Sequence, residues 1–379
     1  MRMTVKVVAA SVFAMLAGCS LFGSKDAKNQ PAPLVELKNP SLVPKLVWKY
    51  SVGKAGASVF TPAVAGDSVY VADADGALVR LNAATGKEIW RVKTGTDLTA
   101  GVGTDGEVVV VGGVKGQILA YDTSGKQLWK ADASSEVLSS PVAGGGYVVV
   151  RSVDNIITGY DEKTGAKKWN VTRTVPALTL RNAPGMVISG PNVYIGQPGG
   201  KLLALTLANG LTRFEVAVGE PRGATELERV TDIAGTPVIF DKDVCTVSYQ
   251  GRVACFDDTT GAPKWSKAVS SDRGVAVDQR FVFVSDETGG VAAYSRENGA
   301  NAWKNEKLSY RVLSTPVSYG RAVAVGDYQG YIHFLSREDG SFIGREATDG
   351  SPIQADPVAA GTNLIFQTQN GTVTALSVE

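Results

Sequence analysis

From about residue 45 onward the chain is a succession of short apolar runs, each closed off by glycine, asparagine, aspartate or serine. Runs such as Val108-Val109-Val110-Val111 and Tyr147-Val148-Val149-Val150 are continuously apolar and β-branched. A strand of that kind has to be buried on both faces. The runs recur in a fixed unit: Ser/Thr-Pro-Val, a glycine turn, a β run, a second glycine turn, another β run, Asp-x-x-Thr-Gly-Lys, then two residues and Trp. The first copy passes through Thr61-Pro62-Ala63-Val64 and Thr85-Gly86-Lys87 and closes at Trp90. The closing positions are 48, 90, 129, 169, 214, 265, 303 and 343, spaced 38 to 51 residues apart. Four short strands per ~40–50 residues is the period of a propeller blade.

Eight closing positions predict an all-β, eight-bladed β-propeller of four-stranded antiparallel blades, in which the closing Trp fills the wide outer gap between neighbouring wedges. After Ile343 only three more β runs follow, at 357–360, 364–368 and 372–377. The missing outer strand stands at the other end, Leu46-Val47-Trp48-Lys49-Tyr50. The N-terminal strand is therefore expected to complete the last blade, which removes an open sheet edge.

The residues before the repeats belong to other functions. Residues 1–18 pair Arg2 and Lys6 with the apolar run 7–16, too short to span a bilayer as a mature helix, and end in Leu16-Ala17-Gly18 before Cys19. This resembles the lipobox of bacterial lipoproteins, which implies cleavage before Cys19 and acylation of that cysteine. Ser20 in place of Asp implies, by the same resemblance, sorting to the outer membrane. Residues 19–44 are polar and proline-containing and are expected to be the lipidated cysteine with a flexible tether. The propeller is expected over 45–379.

Composition narrows the chemistry. A formal charge of +1 gives no basic field for nucleic acid. His333 is the single histidine, which leaves little for acid–base catalysis or zinc. In the run Tyr331-Ile332-His333-Phe334-Leu335 it is expected to be a packed strand residue. Cys245 and Cys255 flank Tyr249-Gln250-Gly251 symmetrically. A three-residue turn there makes them cross-strand neighbours, either a disulfide or two reduced, buried small residues.

The Thr-Gly-Lys-x-x-Trp repeat resembles that of quinoprotein propellers. Together with the lipobox, the chain resembles the BamB family, the propeller lipoproteins of the outer-membrane β-barrel assembly machinery. The resemblance covers nearly all of residues 45–379. It implies a non-catalytic scaffold without a cofactor, anchored on the periplasmic face of the outer membrane. Its implied partners are the POTRA domains of the barrel-assembly protein, with nascent β-barrel proteins as a second candidate. Two stretches match the family's partner-binding segments: Leu178-Thr179-Leu180-Arg181, and 225–232 with Glu228, Arg229 and Asp232. The family has a second acid two residues after Asp232, where this chain has Ala234.

The repeat arithmetic marks the same stretches. Between a closing position and the next inner strand lie 16 residues after Trp169 and 22 after Phe214, against 9 to 13 elsewhere. Both are loops of one type on consecutive blades, so they leave the ring side by side. They are either a binding site on a rigid scaffold or tolerated insertions. Asp232 is expected either to orient Arg181 across the gap or to contact the partner. The other readings of the chain are a PQQ-dependent dehydrogenase and a glycan- or peptidoglycan-binding propeller. The first is disfavoured by the lack of vicinal cysteines and of a Cys-x-x-Cys-His site.

Overall fold

The computed structural model describes residues 29–181 and 184–378. The signal segment 1–18 and Cys19 lie outside the described residues. Thirty-two strands, from β1 (Lys45–Ser51) to β32 (Thr372–Ser377), form eight antiparallel sheets of four among the described residues. Blades 1 to 7 are continuous in sequence, at 63–93, 103–132, 142–172, 186–217, 238–268, 275–305 and 317–347. Blade 8 combines 358–377 with β1, which pairs antiparallel with β32 and sets Trp48 opposite Ala375. The innermost strands touch one another all the way round, and β2 (Ala63–Ala65) meets β30 (Val358–Ala360) to shut the ring. This is the expected eight-bladed propeller, closed by the N-terminal strand.

Each blade is a simple meander, which gives the ring two distinct faces. Links between second and third strands, and links from a fourth strand to the next blade, emerge together on what we call the loop face. Hydrogen bonds join the two kinds of link there, as from Thr94 N to Gly76 O at 2.8 Å and from Ala133 N to Gly116 O at 2.8 Å. The remaining turns lie on the opposite, turn face.

The closing tryptophans do what their spacing predicts. The Nε1 of Trp48, Trp90, Trp129, Trp169, Trp265 and Trp303 each donates to a carbonyl in the third-to-fourth-strand turn of the next blade, at 2.7–2.9 Å. The indole lies on the turn's glycine. A Cβ on Gly86 (φ 67°) would stand 2.5 Å from the Trp48 ring, so the Thr-Gly pair meets both a left-handed backbone and a lack of room. Phe214 covers Gly261 in the same way, without the donor.

One closing position needs correction. In blades 1 to 6 a bulge places one extra residue just before the closing aromatic; Trp90, for example, lies opposite Arg80, with Ile89 as the extra residue. In blade 7 it is Gly344 that stands opposite Phe334, and Ile343 is the bulge residue. The side chain absent from Gly344 is replaced from elsewhere in the chain. Leu42 packs over it, 1% exposed, and donates from its N–H to the Ile343 carbonyl at 2.9 Å.

Leu42 lies in the segment expected to be a free tether. From Ala32 onward that segment is held on the body instead. Ala32 N donates to Ser309 O at 2.8 Å, Arg311 Nη1 to Ala32 O at 2.9 Å, and Arg345 Nη2 to Val35 O at 2.9 Å. Arg321 donates to the Ser41 carbonyl.

Candidate functional site

The two long links are 173–185, between β13 (Lys167–Thr172) and β14 (Met186–Ser189), and 218–237, between β17 (Thr212–Ala217) and β18 (Val238–Phe240). Both lie on the loop face, at the junctions of blades 3, 4 and 5. Val230, Ile233 and Ala234 are buried and root the longer loop in the ring. The position where the family carries its second acid is thus an interior one here.

Asp232 joins the loops. It is 5% exposed, and its carboxylate accepts from Leu180 N at 2.6 Å and from Gly199 N at 2.9 Å. One side chain therefore ties the 218–237 loop to the 173–185 loop and to the β-turn of blade 4. Arg151 lies buried nearby, donating to Asn155 Oδ1 at 2.9 Å and to Gly196 O at 3.0 Å. Burial pushes its pKa down to about 10, and the negative charge of Asp232 opposes that shift. The arginine therefore remains charged at neutral pH.

Of the two roles expected for Asp232, the pairing with Arg181 is not made. Arg181 points outward, its side chain 78% exposed, and pairs with Glu136 at 3.1 Å. Asp232 has its oxygens on the backbone amides of Leu180, in the neighbouring loop, and of Gly199, in the blade 4 turn. Glu228 and Arg229 likewise serve their own loop. Glu228 Oε2 accepts from Ala224 N and Thr225 N at 2.8 and 3.0 Å, and Thr225 Oγ1 accepts from Glu228 N at 3.2 Å. These backbone bonds hold the Glu228 carboxyl below its usual range. This is the reciprocal Ser/Thr-x-x-Glu arrangement that closes a helical turn. Arg229 Nε donates to Gly223 O at 3.0 Å.

The apolar side chains face outward. Leu178 is 42% exposed and Leu180 half-buried. Leu227, which the tight turn at 225–228 holds out, is 70% exposed. Between the loops and blade 3 lies a cleft of about 320 Å³, lined by Glu136, Val153, Val175, Leu180 and Arg181 among others. Glu136, Val153 and Leu227 are the residues that sequence reasoning did not single out. The first two sit in links of ordinary length and carry no local signal. Leu227 had one: a lone leucine in Glu226-Leu227-Glu228-Arg229.

The remaining candidates lie apart from this face. Cys245 and Cys255 are opposite each other on β19 (Asp243–Val247) and β20 (Arg252–Asp257), fully buried, with their Sγ atoms bonded. His333 is fully buried on β28 (Tyr331–Ser336). Its Nδ1 accepts from Arg345 Nε at 3.2 Å, so Nε2 carries the proton and donates to Asp327 Oδ2 at 2.8 Å. Burial lowers its pKa, with Asp327 opposing and Arg345 and Arg311 reinforcing, which keeps the ring neutral.

Comparison with known proteins agrees with this architecture. The family described as "Outer membrane protein assembly factor BamB" matches residues 44–91 and 77–305. The chain is 43% identical to the outer membrane protein assembly factor BamB of Burkholderia pseudomallei, over 98% of this chain and 97% of that one. It is 40% identical to that of Bordetella pertussis, over 94% and 93%. The crystal structure of BamB from Moraxella catarrhalis superposes with a TM-score of 0.82 at 28% identity, covering 88% of this chain and all of that one. The chain belongs to the BamB family of outer membrane protein assembly factors.

Proposed function

We propose that the chain is a lipid-anchored scaffold on the periplasmic face of the outer membrane, with no chemical step of its own. It binds the POTRA domains of the barrel-assembly protein and so aids insertion of β-barrel proteins. The observation that carries this reading is the Asp232 tie. Two long loops on adjacent blades are locked to each other and to the ring, while Leu178, Leu227 and Arg181 are left outside. Side chains on a prearranged surface lose little freedom on binding, and apolar anchors beside an arginine suit a protein partner.

Support also comes from the relatives, which are named as outer membrane protein assembly factors. Cys19, after Leu16-Ala17-Gly18, supplies the anchor. Where a lipobox cysteine carries more than one acyl chain, those chains suffice for stable attachment. Copurification of the tagged chain from solubilised membranes tests the reading. Co-elution of the barrel-assembly protein is expected. A bound quinone chromophore without such a partner would replace the scaffold with the dehydrogenase. Cys19→Ala tests the anchor: the variant should leave the outer-membrane fraction.

A further inference from the structure

The N-terminal segment runs across the ring from one face to the other, and its direction follows from the register. β32 leaves the loop face at Thr372 and ends at Ser377 on the turn face, and Lys45 is paired with Ser377. A chain entering β1 directly would therefore arrive from the turn face. The preceding residues reverse that exit. Leu42 sits at Ile343, near the start of β29 (Phe342–Ala347) on the turn-face side. Val35 lies at Arg345, and Ala32 reaches Ser309 and Arg311 in the loop-face link between blades 6 and 7.

The seat for this segment is built into the fold. Arg311 is almost fully buried and uses its whole guanidinium: Nε to Asp327 Oδ2 at 2.8 Å, Nη2 to Gln329 Oε1 at 2.6 Å, and Nη1 to the Ala32 carbonyl at 2.9 Å. Its neighbours Tyr310 (φ 57°) and Val312 (φ 49°) are held in the left-handed region, which a β-branched residue rarely adopts. Arg345 grips Val35 from the side while bonding His333. At the far end Leu42 fills the place of the missing closing aromatic.

We propose that residues 32–42 form a strap that turns the loop face, with its candidate binding loops, toward the membrane. The inference rests on the reading of Cys19 as the lipid attachment. Twelve residues lie between Cys19 and Ala32, and the thirteen chain steps have a contour of at most about 45 Å. With the strap seated, all of that length starts from the loop face. Presenting the turn face would take about 20 Å of it, the length of a strand, merely to pass back over the rim. A partner held between ring and bilayer would then meet the face that carries Leu178 and Leu227.

Energy transfer to labelled lipid tests this with the full-length lipidated chain in vesicles. Single donor-labelled cysteines are placed on the loop face (Lys115→Cys, Asn370→Cys) and on the turn face of the same blades (Lys126→Cys, Thr362→Cys). Loop-face donors should transfer at least about two-fold more, because the faces differ in depth by a strand length. Equal or inverted transfer in chains that float with the vesicles would overturn the orientation alone. Chains that do not float would overturn the anchor and the orientation with it. In Arg311→Ala with Arg345→Ala, folded by circular dichroism, the preference should vanish or invert; its persistence would show that the strap does not set it. Should the double variant fail to fold, the comparison between faces in the unaltered strap decides.

Discussion

Asp232 accepts a hydrogen bond from the Leu180 amide at 2.6 Å, across 52 residues of sequence. It also holds Gly199 N and faces the buried charge of Arg151. Asp232→Ala leaves two amides without their acceptor and removes the nearby countercharge. A loss of about 1–3 kcal/mol is expected. Hydrogen exchange should localise it, with the Leu180 and Gly199 amides losing protection while blades far from the loops do not change. Uniform loss of protection would mean that Asp232 supports the whole ring rather than joining two loops.

Arg181 and Leu227 are the outward groups, and altering them should weaken partner binding without unfolding the ring. Arg181→Glu places a second acid beside Glu136, and Leu227→Asp removes an exposed anchor. Each is expected to weaken binding to the POTRA domains by on the order of 2 kcal/mol if the site is buried in the complex. Thermal stability should hardly move, since exposed ion pairs contribute little. Lys126→Glu, on the other face, should bind normally. Calorimetric titration decides, and full affinity in both loop variants would place the interface elsewhere.

Leu42 should count as core although it precedes the first strand. Leu42→Ala opens a cavity over Gly344 and should cost roughly 2–5 kcal/mol in urea unfolding. Ile89→Ala, at an exposed bulge position, should cost under about 0.5 kcal/mol. Similar values for the two would mean that the strap contributes nothing to closure of the ring.

His333 predicts a dependence of stability on acidity. Its native pKa is lowered, chiefly by burial, while the unfolded chain titrates near the ordinary value. The unfolded state therefore takes up the proton first as pH falls. The histidine's contribution is full above about pH 6.5 and is lost progressively below it. Asp327, also lowered, loses its contribution only in the more acid carboxylate range. Urea midpoints should fall between pH 7.5 and 5.5. His333→Gln, which retains a donor toward Asp327, should flatten that fall. An unchanged slope would assign it to other groups.

Blade number, blade boundaries and ring closure were legible in the sequence because each follows from local constraints. Alternating turns, buried β runs and a Trp at a fixed offset from Thr-Gly recur in register, and a repeat cannot bury its faces without its neighbours. The two long loops were legible for the same reason, as departures from that register. The pairing of Cys245 with Cys255 also followed from a short turn. Side-chain contacts that fall outside the repeat register were decided only in three dimensions. Blade 7 closes at Gly344 because Leu42, 302 residues away, occupies the space above it. Asp232 turned inward to backbone amides, since a carboxylate at a buried junction must find donors there, and so Arg181 was left to Glu136. The tether became a strap from Ala32 onward because Arg311, buried among blades, and the half-buried Arg345 had donors to place and the strap's carbonyls could accept them.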